Sequence, residues 1–514
     1  MKKTSTHLYD LIYSLSSSER RYFKLYIAKR IGKDNKLCLQ LFDLIIKSEG
    51  KPIEKVEKKI NFTKHPSRLK NYLYDTILKS LEAYHSTRSP TIKIRKAINQ
   101  IENLYNKALF DQCVILAKKT LKDAEMVDNQ NFKIDVLTWY ILSLSQLEDK
   151  NALKMEKELS IQQEDAINNL KLEREFQKLN KSLFNFTKKV GTLRSKENDD
   201  KLKELIDSPL LSDYSLATSY HSKYTFNTIY ASYYGYLADN KNENFYQKRN
   251  LTLYEDYPAM KDAEQLNYLT CLNNYALNCA GSGEYEKAEY YYSKMEEIDP
   301  NTEQIEIKRF EYFSSNRLDL YLRMPNLKKG LSLVENIEEG LKKNDRKINR
   351  LFKSVIYSNL CYLFFASGQY KKALQYNNLI ISQENTVYRS DIFRFARIMN
   401  LLIHYENEDK TSIEYFYESL TRYLKKQNEN YLFEGWFMSF FKALLKVSQK
   451  DEKAFLKAEE RKLLAILEDF NERKVISHFN ILAWFRVKID QVSFEEAMRL
   501  YSTREYQEYK RYRS

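Results

Sequence analysis

The chain contains 514 residues with a formal net charge of +14; 43% of them are hydrophobic and 14% aromatic, while glycine (10) and proline (7) are scarce. The hydrophobic content excludes a largely disordered chain, and the scarcity of helix breakers favours long helices over sheets. A chain of this length exceeds what one hydrophobic core organises, unless it is built from stacked repeats. We therefore expect an all-α protein with more than one structural unit.

Three features of the sequence bear on its location. No run of about eighteen apolar residues is present, so we expect no membrane-spanning helix. The N-terminus lacks the apolar stretch of a signal peptide. The five cysteines are scattered without a CxxC pair, as is typical of reduced core thiols. We expect a cytoplasmic protein that has no membrane partner.

Residues 1–88 predict a small, basic helical domain. Its predicted helices are 6–13, 19–30, 36–47, 52–60 and 66–84. Three serines at 16–18 can cap the second helix, and Pro52 stands at a first-turn position where its missing N–H costs nothing. The segment STRSP at 86–90 predicts a linker to a second unit that extends over residues 91–514.

Positive charge is concentrated at the N-terminal end of the chain. Residues 1–100 contain 22 Lys and Arg against 9 Asp and Glu, a net charge of +13, so the rest of the chain is close to neutral. Consecutive helices with basic residues are loosely similar to a helix-turn-helix DNA reader, although no glycine turn stands at that spacing. The candidate nucleic-acid-binding residues are Arg20, Arg21, Lys24, Lys58, Lys59 and Arg68. The cluster indicates either a solvated surface or a nucleic-acid-binding one, and both interpretations stay open.

From residue 91 onward the pattern alternates helix with helix. The clearest stretch is 272–300, LNNYALNCAGSGEYEKAEYYYSKMEEIDP, in which a Gly-Ser-Gly break separates two helical runs. Ala288 is small enough to let the second helix approach the first, and Tyr292 fills the next layer. Pro300 cannot continue a helix. These residues predict a hairpin of two antiparallel helices.

A second copy of this pattern occupies residues 357–385, where Gly368 and Ala373 match Gly283 and Ala288. Gly330 takes the small-residue position of a hairpin between the two copies. Helix ends recur at steps of about 42 residues, which predicts about ten hairpins. Their second helices are predicted to end near Asp128, Asn169, Pro209, Pro258, Pro300, Lys342, Asn385, Gln427, Phe470 and Arg513.

The order of small residue, glycine, aromatic, alanine, aromatic and proline resembles the tetratricopeptide-repeat (TPR) family. The resemblance implies a TPR-like α-solenoid, in which the first helices of successive hairpins line a concave surface. The family unit is about 34 residues long. Eight additional residues per hairpin correspond to roughly 6 Å on each helix, so the concave surface would be wider than in the family.

The resemblance also implies a binding surface. Asn274 and Asn359 match a first-helix position that points into the groove of peptide-binding family members, and Asn273, Ser358 and Tyr362 would be their neighbours. The basic residues of the carboxylate-binding subfamily are not identifiable, so that activity is not implied. The alternative interpretation is that these polar side chains are only solvated.

Tyrosines crowd a predicted helix at 216–237, namely Tyr220, Tyr224, Tyr230, Tyr233 and Tyr234. They cover more than one face of the helix, so some of them must lie outside the core. They indicate either aromatic packing between hairpins or a surface that binds a peptide segment.

No sequence motif for catalysis is present. The chain has no P-loop, no GxGxxG and no HExxH, and its six histidines are isolated from one another. We therefore expect no enzyme, no metal and no cofactor. The expected function is a scaffold or adaptor that binds a protein or peptide. The alternative is a transcriptional or RNA regulator with a basic N-terminal nucleic-acid-binding domain and a partner-sensing solenoid.

Overall fold

The computed structural model describes residues 6–29, 32–48, 52–85, 90–147, 150–190, 196–237, 239–300, 302–345, 347–383, 390–427 and 431–500. Within these ranges every regular element is helical and no strand occurs. The predicted all-α class is therefore confirmed for the described part of the chain.

The helices are numbered in chain order. The first thirteen are α1 His7–Ser14, α2 Ser17–Ala28, α3 Lys33–Ile46, α4 Ile53–Glu57, α5 Pro66–His85, α6 Pro90–Tyr105, α7 Phe110–Met126, α8 Gln130–Leu144, α9 Lys150–Val190, α10 Lys196–Ile206, α11 Tyr220–Tyr236, α12 Asn240–Asp256 and α13 Met260–Ala263. The others are α14 Gln265–Gly281, α15 Tyr285–Glu296, α16 Glu303–Tyr312, α17 Leu318–Arg323, α18 Leu327–Ser332, α19 Val334–Lys343, α20 Arg350–Ala366, α21 Tyr370–Ile381, α22 Ser390–Glu406, α23 Lys410–Gln427, α24 Leu432–Leu444, α25 Glu452–Ile466, α26 Phe470–Arg473 and α27 Ile481–Asp490. Residues 494–500 are also helical.

Helices α1 to α5 share a core of their own, in which α2 and α3 pack on α5. Phe23, Phe42 and Leu73 are fully buried in it. Ser16 caps α2 in a reciprocal pair of bonds with Glu19, at 3.2 and 2.8 Å, which supplies partners for two backbone N–H groups. Five helices were predicted here and five occur. The predicted linker 86–89 lies outside the described residues, and the division at residue 88 stays a prediction.

Helix α9 contradicts the predicted hairpin end near Asn169. It continues through that position for 41 residues without interruption. The reason is local, because residues 150–190 contain no glycine or proline to end the helix. The first half of α9 packs on α8 and the second half on α11.

Several turns between consecutive helices share one hydrogen-bond pattern. A backbone N–H donates to the carbonyl five residues earlier, which satisfies a carbonyl left free at the helix end. This bond occurs at Leu109 and Asn129, which are 20 residues apart, and again at Asp239, Glu284, Asn326, Gln369 and Asp409, at intervals of 40 to 45 residues. Gly283 and Gly368, at equivalent places in two of these turns, have φ values of 79° and 69°, a region that favours glycine.

The predicted close approaches between helices are confirmed. Ala288 and Ala373 are both fully buried, and α14 packs along α15 as α20 packs along α21. A Cβ atom added to Gly330 would lie 2.9 Å from Cδ1 of Leu363, so this glycine also stands where two helices meet closely.

The C-terminal helices enclose α22, which is buried on almost every side. Phe437, Trp484 and Phe485 fill the space between α24 and α27. Arg394 of α22 and Glu434 of α24 form an ion pair of 3.2 Å that is almost completely buried. This part of the chain is therefore packed around a central helix.

Candidate functional site

The asparagines predicted to line a groove belong to a hydrogen-bonded network that crosses three helices. Nδ2 of Asn316 donates to Oδ1 of Asn273 at 2.7 Å, and Nδ2 of Asn273 donates to Oδ1 of Asn274 at 3.3 Å. Nδ2 of Asn359 donates to the backbone carbonyl of Ser315 at 2.8 Å. The two predicted positions are thus linked through one intervening helix. We refer to Asn273, Asn274, Ser315, Asn316 and Asn359 as the amide network.

The intervening helix has an irregular segment at the network. Residues 303–323 form one continuous helix, in which Phe313–Arg317 adopts the π conformation between α16 and α17. Such segments are rare and frequently occur at functional sites, because they displace the regular hydrogen bonds of the backbone. Here the backbone carbonyl of Ser315 accepts a hydrogen bond from the side-chain amide of Asn359 on α20. The Ser315 hydroxyl donates to the Glu311 carbonyl at 2.7 Å.

The members of the amide network differ in exposure. Asn273 is 3% exposed, whereas Asn274, Asn316 and Asn359 are half-buried. The half-buried amides can reach a ligand and keep internal partners that fix their orientation. The predicted neighbour Ser358 is also half-buried, next to Asn359 on α20.

Tyr362 lies apart from this network, in the core. It is 8% exposed, and its ring packs against Phe479 and Phe494 at centroid distances of 5.0 and 6.1 Å. Its hydroxyl accepts a hydrogen bond from the backbone N–H of Asn480 at 3.3 Å. The structure therefore brings together four of the five predicted groove residues, and the C-terminal part of the chain covers the fifth.

An ion cluster at the end of the π segment was not found by sequence reasoning. Arg317 forms ion pairs of 2.7 Å with both Glu289 and Glu296, and the hydroxyl of Tyr321 donates to Glu289 at 2.9 Å. These contacts fix the irregular helix to α15. No local pattern marks Arg317, because its partners lie 21 and 28 residues away.

The predicted basic residues of the N-terminal helices fall into two groups. Arg20 donates to the Tyr13 carbonyl at 3.1 Å, and Lys24 pairs with Asp43 at 2.7 Å. Arg21 is exposed on the same helix. The three others, Lys58, Lys59 and Arg68, lie before and at the start of α5, and all of them are exposed. The structure therefore leaves the second group directed at solvent.

The tyrosines of α11 form both a buried and a partly exposed cluster. Tyr220 is fully buried and packs on Tyr254 at 5.8 Å; burial also raises the pKa of both phenols. Further along α11, the rings of Tyr230 and Tyr234 stack on Tyr246 of α12 at 4.8 and 5.8 Å. These three are half-buried. Aromatic packing thus accounts for Tyr220 in the first part of α11. The half-buried rings of Tyr230 and Tyr234 in the second part fit either aromatic packing or a surface that binds a peptide segment.

A cleft of about 1470 Å³ lies between the N-terminal helices and the middle of the chain. Residues of the α1–α2 turn and the end of α5 form one wall, and α12, α14, α15, α16 and α19 contribute to the other. Several of its cations are paired with anions, as in Lys294–Glu297 at 2.8 Å and Lys343–Glu306 at 3.1 Å. The lining is mixed in charge and therefore indicates no particular class of ligand.

Groups with unusual acidity lie inside the helical layers. Burial raises the pKa of the Cys361 thiol to about 12 and that of Cys279 to about 11, so both remain protonated at neutral pH. Glu243 at the start of α12 is half-buried as a whole residue. Its carboxyl group is the more enclosed part and lies beside Asn278. Burial raises the pKa of this carboxyl group to about 7, although the hydrogen bond from Asn278 acts in the opposite direction.

Two further observations concern the described part of the chain. No group of three or more His, Cys, Asp or Glu side chains there is arranged to hold a metal ion. None of the helices described above is long and apolar enough to cross a membrane.

The structure defines the class of this protein as all-helical. No protein-family model matches the sequence, and no curated protein matches it.

Proposed function

We propose that the protein is a non-enzymatic scaffold that binds a protein or peptide through a TPR-like solenoid. Between residues 239 and 409, the recurring turn at intervals of 40 to 45 residues supports this arrangement, because it agrees with the repeat length of about 42 residues expected from the sequence. Two pairs of equivalent residues support it as well. Gly283 and Gly368 share a left-handed backbone conformation, and Ala288 and Ala373 are both fully buried. The observation that carries the proposal is the amide network.

Asparagine side chains suit the recognition of an extended peptide. Each amide offers a donor and an acceptor, so it can pair with both backbone groups of a ligand residue. In the amide network, Asn274 and Asn359 have one internal contact each and are half-buried. If the first helix of each successive hairpin contacts one part of an extended peptide, the binding contributions of these contacts add up along the peptide.

A peptide-library selection on the full-length protein tests this proposal. We expect selected peptides to bind the double variant Asn274→Ala with Asn359→Ala at least tenfold more weakly, because two directional contacts are lost. The matched control is Asn103→Ala on α6, an exposed asparagine far along the chain, which should leave affinity unchanged. Thermal melting of each variant separates loss of binding from loss of fold. Equal affinity for the parent and the double variant would exclude the amide network as the binding surface.

A second candidate function is favoured by the exposed basic group that lies before and at the start of α5. We propose, as the alternative, that Lys58, Lys59 and Arg68 contact nucleic acid phosphates while the solenoid senses a partner. All three are exposed, and the region around them carries most of the net charge of the chain. Arg21 is exposed as well, whereas Arg20 and Lys24 already have internal partners.

Salt dependence tests the alternative. If it holds, affinity for a generic DNA duplex should fall roughly tenfold to a thousandfold between about 50 and 200 mM salt, as counterions are released by several phosphate contacts. Charge reversal to Glu at Lys58, Lys59 and Arg68 should abolish most of this binding. The same reversal at the exposed residues 118, 119 and 122 of α7 is the control, since it changes net charge equally. Absence of binding by the parent at 50 mM salt would eliminate the alternative.

A further inference from the structure

The amide network contains one asparagine at the same position of three helices, namely α14, the helix of residues 303–323, and α20. Asn274, Asn316 and Asn359 each lie ten residues before the donor of the turn bond described above. The side-chain bonds of the network join these helices, which pack directly on one another. Axes of packed helices lie about 8–10 Å apart, so the three side chains form a ladder with steps of about that length. We refer to them as the asparagine ladder.

Each residue of the ladder keeps a hydrogen-bond donor for a ligand. A carboxamide carries two N–H groups. Asn316 and Asn359 each use one of them on internal acceptors, at 2.7 and 2.8 Å, and Asn274 uses neither within the described part of the chain. Oδ1 of Asn274 already accepts a bond from Asn273 at 3.3 Å. Oδ1 of Asn316 accepts one from the Ser315 hydroxyl at 3.1 Å. The half-buried ladder therefore offers mainly donors.

An aromatic surface lies beside the ladder on the same helices. The hydroxyl groups of Thr270 and Tyr312 are 3.1 Å apart, and the rings of Tyr312 and Phe352 lie 5.7 Å apart. The ammonium group of Lys308 lies 5.3 and 4.5 Å from these two rings. Thr270, Tyr312 and Phe352 precede the ladder residues of their helices by four or seven positions, which places them on the same faces. Phe352 is half-buried, so part of its ring is open to an apolar ligand group.

The spacing and the donors together select one ligand conformation. A helical ligand satisfies its own backbone groups and has no use for a row of donors. A β-strand returns to the same face every two residues, over about 6.6–6.8 Å, which is shorter than one step of the ladder. A polyproline II segment returns to the same face every three residues, over about 9.3 Å, and has no internal hydrogen bonds. Proline also brings a carbonyl without an N–H, which suits a surface that offers mainly donors.

We infer that the asparagine ladder binds a proline-rich segment of a partner protein in the polyproline II conformation. This inference rests on the proposed function, since it names the class of peptide that the amide network recognises. The ligand carbonyls at positions i, i+3 and i+6 accept one hydrogen bond each from Asn274, Asn316 and Asn359. A proline ring of the ligand packs on Phe352. Seven ligand residues, which extend over roughly 19 Å, span the ladder.

A series of peptides tests the inference with the full-length protein. The probes are labelled tetraproline, heptaproline and a heptapeptide of alternating glycine and serine, all acetylated and amidated, and fluorescence anisotropy measures their affinity. We expect heptaproline to bind roughly tenfold more tightly than tetraproline, which reaches only two positions of the ladder. The glycine–serine peptide should bind roughly tenfold more weakly than heptaproline, because it loses more conformational entropy. Equal affinity for heptaproline and either of the other probes would overturn the inference.

A variant tests the donors themselves. Asn274→Asp removes the free N–H groups of one ladder residue and keeps an oxygen that accepts from Asn273. It should weaken the binding of heptaproline roughly tenfold. The matched control is Asn378→Asp on an exposed face of α21, which adds the same charge and should leave the affinity unchanged. Thermal melting shows whether both variants fold, and the peptide series on the parent decides the case in which Asn274→Asp does not. Unchanged affinity in a folded Asn274→Asp variant would refute the assignment of the ladder.

This inference and the proposed function fail in different ways. Selected library peptides that depend on Asn274 and Asn359, together with no binding of heptaproline, would overturn the polyproline II class and leave the proposed function standing. If neither the selected peptides nor heptaproline depends on these two residues, both proposals are overturned.

Discussion

Replacing Gly340 by alanine tests the packing between α19 and α16. A Cβ atom at this position would lie 2.0 Å from Cε2 of Phe310, and 2.5 Å from Cζ of the same ring. An ordinary carbon contact is about 3.5 to 4.0 Å, so the ring or the helix must move by roughly 1.5 Å. Overpacking of this kind costs about 1–3 kcal/mol. Removing a glycine from a helix gains about 0.5–1 kcal/mol, which offsets only part of that cost.

We expect Gly340→Ala to lower the free energy of unfolding by about 1 kcal/mol. Gly435→Ala in α24 is the matched control, because no atom lies within 4 Å of an added Cβ there. That variant should be stabilised by about 0.5–1 kcal/mol. Thermal and urea midpoints from circular dichroism at 222 nm measure both changes, and Phe310→Leu should rescue the first. Shifts of the same sign in both glycine variants would refute the packing described for α19.

Three further predictions follow from buried or capping groups. Ala288→Leu and Ala373→Leu should each lower stability by about 1–3 kcal/mol, since both alanines are fully buried; unchanged melting of both would show that the hairpin register is wrong. Glu243 has a folded-state pKa raised to about 7, so the stability it contributes is fully present below its ordinary pKa and is lost as pH rises through 7. Glu243→Gln should therefore melt higher than the parent at pH 8 and similarly at pH 4, and the opposite order would contradict this. Ser16→Ala removes the N-terminal cap of α2 and should cost about 0.5–2 kcal/mol, measured by the same melting assay.

Features with a local cause could be predicted from the sequence. Ser16 caps α2 where the serines indicated a helix start. Gly283 and Gly368 adopt the left-handed conformation that a turn between two helices needs, and Ala288 and Ala373 are buried as their size suggested. Each of these depends on residues within a few positions of one another, where periodicity and turn chemistry are informative.

Features that depend on distant contacts could not be predicted. Tyr362 is buried by contacts with Asn480 and Met498, which follow it in the chain by 118 and 136 positions. No sequence pattern around Tyr362 reveals these contacts. No sequence pattern indicates the π segment at Phe313–Arg317, although its residues link Asn273 to Asn359 by hydrogen bonds. The predicted end near Asn169 was wrong for another reason: the 42-residue step was extended through a helix that has no residue to stop it.

The length of α9 has a mechanical consequence. At 1.5 Å per residue, its 41 residues extend over roughly 60 Å. Ala152 and Leu159 near one end belong to one hydrophobic cluster, and Phe176 and Leu183 further along belong to another. A single rigid rod is therefore shared by two cores, and force applied to one of them is transmitted to the other without an intervening turn. Under tension we expect both clusters to yield in one step, whereas helices joined by short turns can separate pair by pair.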